Sequence, residues 1–441
     1  MLALHLGRVP ERGRTAWLRA GLRSAIHDGV LPPGSWLPGA RSVGSALGLA
    51  RGTVVEAVQQ LVDEGYLRAN PRSGVVVVRA PGPAGSVVPA PPVREHSPGV
   101  PDLGLFPRGQ WARHLRGALA ATPAAELGYP APAGHPMLRE ALAGHLRRSR
   151  GAEVTGADVV VVAGVAQVGA LLVACGLRRW AVEQPGSPGQ GDQLRSLGAT
   201  VTAMPVDGDG VVVPTPNGSL DAVAVTPAHQ YPTGCVLAGS RRAELVVGAR
   251  EGGYLVLEDD YDAELRYDRE PVGVVQALAP DVVVLAGSVS KSLSPALRLG
   301  WMVPPRHLRA SVIAAKAAAD LGSPVLEQAA LARMISSGAY DRHVRRVRTV
   351  YRARRDALLA ALARRVPGVR VMGISAGLHV YLADLPGADR ACAALRARGV
   401  AAQVVASGPL HAPGPGLVLS FAGIHPRDAD DVALALRGAL G

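Results

Sequence analysis

Between Pro81 and Pro107 the chain runs through APGPAG, PAPPV and SPGVP with little hydrophobic periodicity. Such a segment favours extended, partly polyproline backbone and has no means of burying a core. It forces the rest of the chain into separately folding parts: a module over residues 1–79, a linker over 80–107 and a body over 108–441. With 441 residues and 48% hydrophobic content, the chain is long enough for these parts and too apolar for global disorder. Cys175, Cys235 and Cys392 lie far apart without a CxxC pair, so neither a disulfide framework nor a metal site is expected. The start, MLALHLGRVPERGR, lacks the apolar core of a signal peptide. The window 159–176 is apolar enough to imitate a membrane span, but VVVV, Gly164 and Gln167 suit a buried strand turning into a helix. A cytoplasmic protein without membrane contact is the expectation.

The formal charge is +12, which favours polyanionic partners. Among 47 basic residues only Lys291 and Lys316 are lysines. Arginine stays protonated, whereas a desolvated lysine can lose its proton and attack a carbonyl as a Schiff-base nucleophile. A lysine kept in so arginine-rich a chain therefore marks chemistry that arginine cannot do. Lys291 is read in this way; Lys316, inside the Ala-rich helix SVIAAKAAAD, is read as a chance survivor.

In the N-terminal module, helical spacing through Trp17, Leu22 and Ile26 ends at Gly29 and the PPG of 32–34. Two further helices follow around a tight turn at 48–50, with Val43, Leu47, Leu49, Val54, Val58 and Leu61 as a small core. YLRA, NPRSG and VVVV then read as a hairpin. Helix-turn-helix plus wing is a shape that reads DNA by the N-terminal end of the second helix. Arg51 and Thr53 begin that helix, Arg41 sits on the preceding one and Arg72 tips the wing. Residues 1–79 carry 10 Arg against 5 Asp+Glu, nearly half the excess charge.

Beyond the linker, β-rich runs (VVVVAG, WAVEQPG, AVAVTP, GYLVLEDD, DVVVLAGS) alternate with helical segments, which predicts an α/β fold with a mainly parallel, doubly wound sheet. A long helical region over 325–365 and a smaller α+β domain from Arg370 onward complete the body. In GSVSKSLSPALRLGW, Lys291 is flanked by Ser288 and Ser290 and followed by Arg298, a set suited to a phosphorylated aldehyde. The strand ending LEDDYD supplies carboxylates from Asp259 onward; by themselves they fit a protonated pyridine nitrogen, a metal or acid/base work equally well.

DGVLPPGSWLPGAR, ALGLARGTVVEAVQQLVDEGYL and SGVVV resemble the winged-helix domain of GntR-type regulators. That resemblance implies DNA contacts by Arg41, Arg51 and Thr53, with Gly74 letting the wing approach the groove; Gly52 stands where the family offers a polar side chain. LGYPAPAGHPMLREALAGHL, TPAHQYPTG, LEDDYDAELRY, GSVSKSLSPALRLG and YDRHVRRVRTVYRARRD resemble fold-type I pyridoxal-phosphate enzymes of the aspartate aminotransferase class. Fused to a GntR-type module, they are similar to the effector domain of MocR-type (GabR-like) regulators. The resemblance implies pyridoxal 5'-phosphate on Lys291, with Asp259 on the pyridine nitrogen and Tyr261 on the phenolic oxygen. Ser288, Arg298 and the backbone amides near Ala166 and Gln167 would hold the phosphate. Tyr129 would reach it from the neighbouring subunit of a homodimer, and His229 and Gln230 would line the pocket. Asp260 and Asp262 fit capping or bridging as well as cofactor contact, and a lone histidine such as His229 is equally often structural.

Two positions depart from that pattern. Ser187 stands where the family places a ring-stacking aromatic, and Val418 stands where an arginine clamps a substrate carboxylate. The expected function is therefore a transcriptional regulator that binds an operator, with a cofactor-binding sensor responding to pyridoxal phosphate or an amine effector. The alternatives are an aminotransferase with a DNA-binding appendage and a DNA-binding module with an inert body.

Overall fold

The computed structural model describes residues 6–70, 74–78, 97–187, 189–268 and 272–441. The chain divides into two compact units, residues 1–93 and 94–441. Arg72, the expected wing-tip contact, lies outside the described residues.

The first unit contains α1 (Arg14–His27), β1 (Trp36–Leu37), α2 (Ala40–Leu47), α3 (Arg51–Asp63), β2 (Leu67–Asn70) and β3 (Gly74–Val77). α1 buries Leu18, Leu22, Ala25 and Ile26, and α3 buries Val54, Ala57 and Leu61, the one-face spacing of amphipathic helices. Gly48 (φ 66°) takes the left-handed conformation that closes α2, and Ala50 is extended, so α3 starts in a new direction. Val43, Leu49, Val54 and Leu61 are buried, with Leu47 and Val58 packed at the edge of that core. Arg23 pairs with Glu64 at 2.6 Å, joining α1 to the end of α3. β3 pairs antiparallel with both β2 (Leu67 opposite Val77) and β1 (Trp36 opposite Val76), giving the wing three strands in the order β1-β3-β2.

The second unit is built on an eight-stranded sheet, β4-β11-β10-β9-β8-β5-β6-β7. Its strands are β4 (Val160–Val162), β5 (Arg179–Gln184), β6 (Thr200–Asp207), β7 (Gly210–Val211), β8 (Ala222–Val225), β9 (Leu255–Asp259), β10 (Val283–Ser288) and β11 (Gly300–Val303). β10, β9, β8, β5 and β6 run parallel; β11 and the short β7 are reversed. The helices of this part are α4 (Arg108–Ala121), α5 (Pro136–Arg150), α6 (Val165–Ala174), α7 (Gln190–Ser196), α8 (Gly239–Gly252), α9 (Arg309–Asp320) and α10 (Val325–Ser336). Strand alternation separates the two faces: Val160 and Val162 pack with Leu171 and Leu172 of α6 and Val312 of α9. Val159 and Val161 pack with Leu142 and Leu146 of α5 and Leu331 of α10. Both faces are covered, which is why these strands read as continuous apolar runs.

The expected helical region over 325–365 is two helices, α10 and α11 (Ala339–Arg365), because Gly338 (φ 68°) turns the chain between them. The C-terminal part holds α12 (Ala388–Arg396), α13 (Ala429–Leu440) and an antiparallel sheet of order β12-β13-β15-β14. These strands are β12 (Arg370–Met372), β13 (His379–Ala383), β14 (Ala402–Val405) and β15 (Gly416–Ser420). Residues 97–107, assigned to the linker from sequence, lie against the body. Asp102 pairs with the buried Arg354 at 2.8 Å, and its backbone N–H donates to the Tyr351 hydroxyl at 3.1 Å. Leu105 packs on the α11–α13 core.

Candidate functional site

Open parallel sheets present their ligand crevice at the C-terminal ends of the strands. Here Asp259 ends β9, opposite Ala286 of β10, and Lys291 follows three residues after β10. Asp259 shares its strand face with Leu257, which packs beneath α6. Together with Ala166, Ser187 and Gln193, these two residues line a cleft of about 400 Å³, within the size range of a small-molecule site. One carboxylate oxygen of Asp259, Oδ1, is buried and has no partner among the described residues. Burial raises its pKa to about 7; Lys291 acts against the rise, while Asp260, Asp262 and Glu183 add to it. An orphaned buried oxygen facing a cleft is a costly feature for a protein to carry unless a donor arrives from outside.

Lys291 lines the neighbouring hollow with Tyr261, Asp262 and Ser288. Desolvation lowers its pKa, opposed by Asp262 and Asp259, so the neutral amine needed for attack on a carbonyl is more accessible than on an exposed lysine. Its Nζ donates to the Gly99 carbonyl at 2.5 Å. Gly99 lies in the proline-rich stretch whose composition carries no sign of such a contact.

Near these two groups lie the residues expected to hold a phosphate. Gly164 (φ 126°) caps α6, and a Cβ there would come within 3.5 Å of the Arg298 guanidinium. Arg298 (φ 49°) is exposed and makes no ion pair or side-chain hydrogen bond among the described residues. Val165 and Ala166 have no polar side chain, so what this helix start offers an anion is backbone N–H and dipole. Gln167 faces inward instead: its Oε1 accepts from the Ala163 N–H at 2.8 Å and its Nε2 donates to Asp320 at 2.7 Å. The Ser288 hydroxyl accepts from the Ser290 N–H at 3.3 Å.

His229 and Gln230, expected to line the pocket, are among the lining residues of neither the cleft nor the lysine hollow. His229 acts through residues of the hollow, its Nδ1 2.9 Å from Asp262 and 3.1 Å from the Tyr261 hydroxyl. With Nδ1–H donating to the carboxylate, the tyrosine keeps its proton for another acceptor. A Cβ at Gly377 (φ 70°) would collide with both His229 and Asp262, so only glycine lets that turn close over the pair. Gln230 is buried and fully engaged. Its amide donates to Glu183, the Pro185 carbonyl and the Tyr231 carbonyl, and its oxygen accepts from Thr233. Asp260 is held by Arg150 through two hydrogen bonds of 2.7 and 2.8 Å, which makes it a buried bridge. Tyr129 is 90% exposed and is absent from both the cleft and the lysine hollow.

Val418 faces Tyr231, Tyr381, Met372 and Val405, away from α12 and α13. Its lateral neighbours in the sheet are Tyr381 and Gln403, and Gln403 accepts from the Tyr231 hydroxyl at 3.2 Å. Nearby His379 is buried, with its pKa lowered to about 3 by desolvation and then by His229, so it is neutral. Sequence reasoning missed Gly99, Tyr231, His379 and Gln403. It also misread Lys316, which is fully buried and ion-paired with Asp320 at 2.8 Å.

In the first unit, Arg41 and Arg51 are exposed on α2 and at the start of α3, and Thr53 is half-buried on α3's first turn. Gly74 (φ 98°) opens β3 opposite Asn70, at the tip of the β2–β3 ribbon.

The sheet order, with Asp259 and Lys291 at the C-terminal ends of β9 and β10, defines the class, and comparison with known proteins agrees. Residues 110–435 match the family described as aminotransferase class I and II, and residues 16–77 match bacterial regulatory proteins of the gntR family. The body's fold is that of a Pyrococcus horikoshii kynurenine aminotransferase solved with PMP (TM-score 0.69, 23% identity, 78% of this chain and 90% of that one). Thermus thermophilus LysN, an alpha-aminoadipate aminotransferase solved with N-(5'-phosphopyridoxyl)-L-leucine, gives 0.67 at 25% identity, over 78% of this chain and 91% of that one. The chain is 35% identical to the HTH-type pyridoxine biosynthesis transcriptional regulator PdxR of Corynebacterium glutamicum, over 86% of its own length and 85% of that protein's. It is 33% identical to the probable rhizopine catabolism regulatory protein MocR of Rhizobium meliloti, over 78% and 76%. The chain belongs to the HTH-type transcriptional regulators that join a GntR-family DNA-binding module to a class I and II aminotransferase domain.

Proposed function

We propose that the body binds pyridoxal 5'-phosphate and that its occupancy sets how the first unit engages operator DNA. The observation that carries this reading is the buried, unpartnered oxygen of Asp259, in a cleft shared with the start of α6. Bound there, the cofactor supplies an aldehyde that a free lysine amine can capture and a pyridinium that a carboxylate can pair with. Lys291 is the capturing amine and Asp259 the carboxylate. The Ala166 N–H, the Ser288 hydroxyl and Arg298 hold the phosphate, the Gln167 N–H being engaged with the Gly164 carbonyl at 3.0 Å, and the Tyr261 hydroxyl serves the ring oxygen. His229 orders Tyr261 and Asp262, and Gln230 supports the wall from behind. Tyr129 serves the site of a second copy. Leu119, Leu127, Met137 and Leu321, all more than half exposed, supply apolar surface for such a homodimer. Arg41, Arg51 and Thr53, with Arg72 and Gly74 of the wing, contact DNA.

The surroundings of Val418 favour sensing over turnover. Val418 sits in an apolar cluster with Tyr231, Tyr381, Met372 and Val405, and the nearby His379 is neutral, so Val418 and its apolar neighbours give an α-carboxylate no clamp. Ser187 gives the ring no stacking partner, a loss of about 1 kcal/mol. The controlling ligand is then the cofactor itself or an amine without that carboxylate, in keeping with the name of the Corynebacterium relative. The aminotransferase reading rests on the same Lys291–Asp259 pair. Titrating purified protein with pyridoxal phosphate should produce visible absorbance that Lys291→Ala abolishes. A colourless wild type would overturn the sensor, and rapid turnover of common amino acids would restore the enzyme.

A further inference from the structure

The second of the two lysines lies in the shell behind the phosphate cradle. Lys316 is 0% exposed on α9, and its Nζ donates to Asp320 at 2.8 Å and to the Ser323 hydroxyl at 3.1 Å. The same Asp320 oxygen accepts from Gln167 Nε2 at 2.7 Å, and Gln167 Oε1 accepts from the Ala163 N–H at 2.8 Å. The other Asp320 oxygen accepts from the Gly322 N–H at 2.8 Å, closing the turn that packs against Pro130, beside Tyr129. The chain of contacts runs without a gap from a buried ammonium to the backbone turn that starts α6.

We infer that Lys316 is a positioning residue for phosphate recognition, holding the first turn of α6 in place through Asp320 and Gln167. This rests on the cofactor reading above and goes beyond it. Val165 and Ala166 give the cradle no side-chain donors, so its fit to a phosphate depends on backbone N–H directions, and those depend on what anchors Gln167. A compact ammonium fills the slot between Asp320 and Ser323. A guanidinium is longer and planar and brings five donors where the structure offers two acceptors. That explains why a lysine persists here in a chain that otherwise uses arginine.

The test compares pyridoxal phosphate with pyridoxal, which lacks the phosphate, by absorbance titration of the full-length protein. Wild type should bind both, with the phosphate form tighter. Lys316→Met should weaken pyridoxal phosphate roughly tenfold or more, the scale of a misdirected hydrogen bond to a charged group. Its pyridoxal affinity should stay within about twofold, because Lys291 and Asp259 are untouched. Lys316→Arg should not rescue. If Lys316→Met does not fold, Asp320→Ala, at a side chain 31% exposed, breaks the same link and should show the same split. An unchanged affinity for pyridoxal phosphate, or equal loss for both ligands, overturns the inference while leaving the cofactor reading intact. A wild type that binds neither overturns both.

Discussion

Asp259 lowers the stability of the ligand-free body, and the effect has a sign that pH reveals. Its pKa is about 7 in the fold against an ordinary 3.8, so between those values the native state holds a proton that the unfolded chain releases. The contribution of this group to stability therefore falls as pH rises through that window and is smallest above about pH 7. Glu183, raised to about 7 by burial, acts in the same direction. Asp259→Asn is uncharged at every pH, so the ligand-free variant should match wild type near pH 4. By denaturant unfolding it should be more stable at pH 8, by up to about 4 kcal/mol for a shift from 3.8 to about 7. A variant no more stable than wild type at pH 8 would remove the strain assigned to that oxygen. The two lysines show what a sequence conveys at this scale. Scarcity pointed to Lys291, yet the same scarcity around Lys316 was dismissed because an Ala-rich helix hides which face is buried. Gly99 left no signal, since its contact with Lys291 uses a main-chain carbonyl.

Helices and strands divide by how strongly their pattern exceeds their length. β8 and β10 were legible because strands covered on both faces read as apolar runs, and β5 and β9 because Trp-Ala-Val and Leu-Val-Leu form short apolar cores ahead of polar ends. β14, with four residues and Gln403 among them, lacks that pattern and was missed. α10 and α11 merged in the reading because the Gly338 break is a matter of φ, not of polarity. In the first unit the periodicity of α1 and α3 carried the reading. Leu61, fully buried on α3, should cost about 2–5 kcal/mol when replaced by alanine, measured on the unfolding transition of that unit. Arg51 opens α3 without a partner among the described residues. Arg51→Ala should weaken operator binding and reduce the slope of log K against log salt by about one, as expected when a phosphate contact is lost. An unchanged slope would assign that arginine to the solvated surface.

On the scale of the whole molecule, the proline-rich stretch predicts separately folding parts, and the chain divides into compact units at 1–93 and 94–441. The linker was overextended at its C-terminal end, because the proline content of 97–107 conceals the anchoring of Asp102 on Arg354 and Tyr351. The positive charge suits DNA, and no described helix is long and apolar enough to cross a bilayer. In the proposed function, what joins the units is the response of DNA binding to the cofactor. The most direct measurement is the affinity of the full chain for a duplex selected by the protein itself from a random pool, followed by fluorescence anisotropy with and without saturating pyridoxal phosphate. We predict a shift of about fivefold or more in wild type, the scale of ordinary coupling between sites, and none in Lys291→Ala. The same affinity in wild type with and without the cofactor would contradict the account.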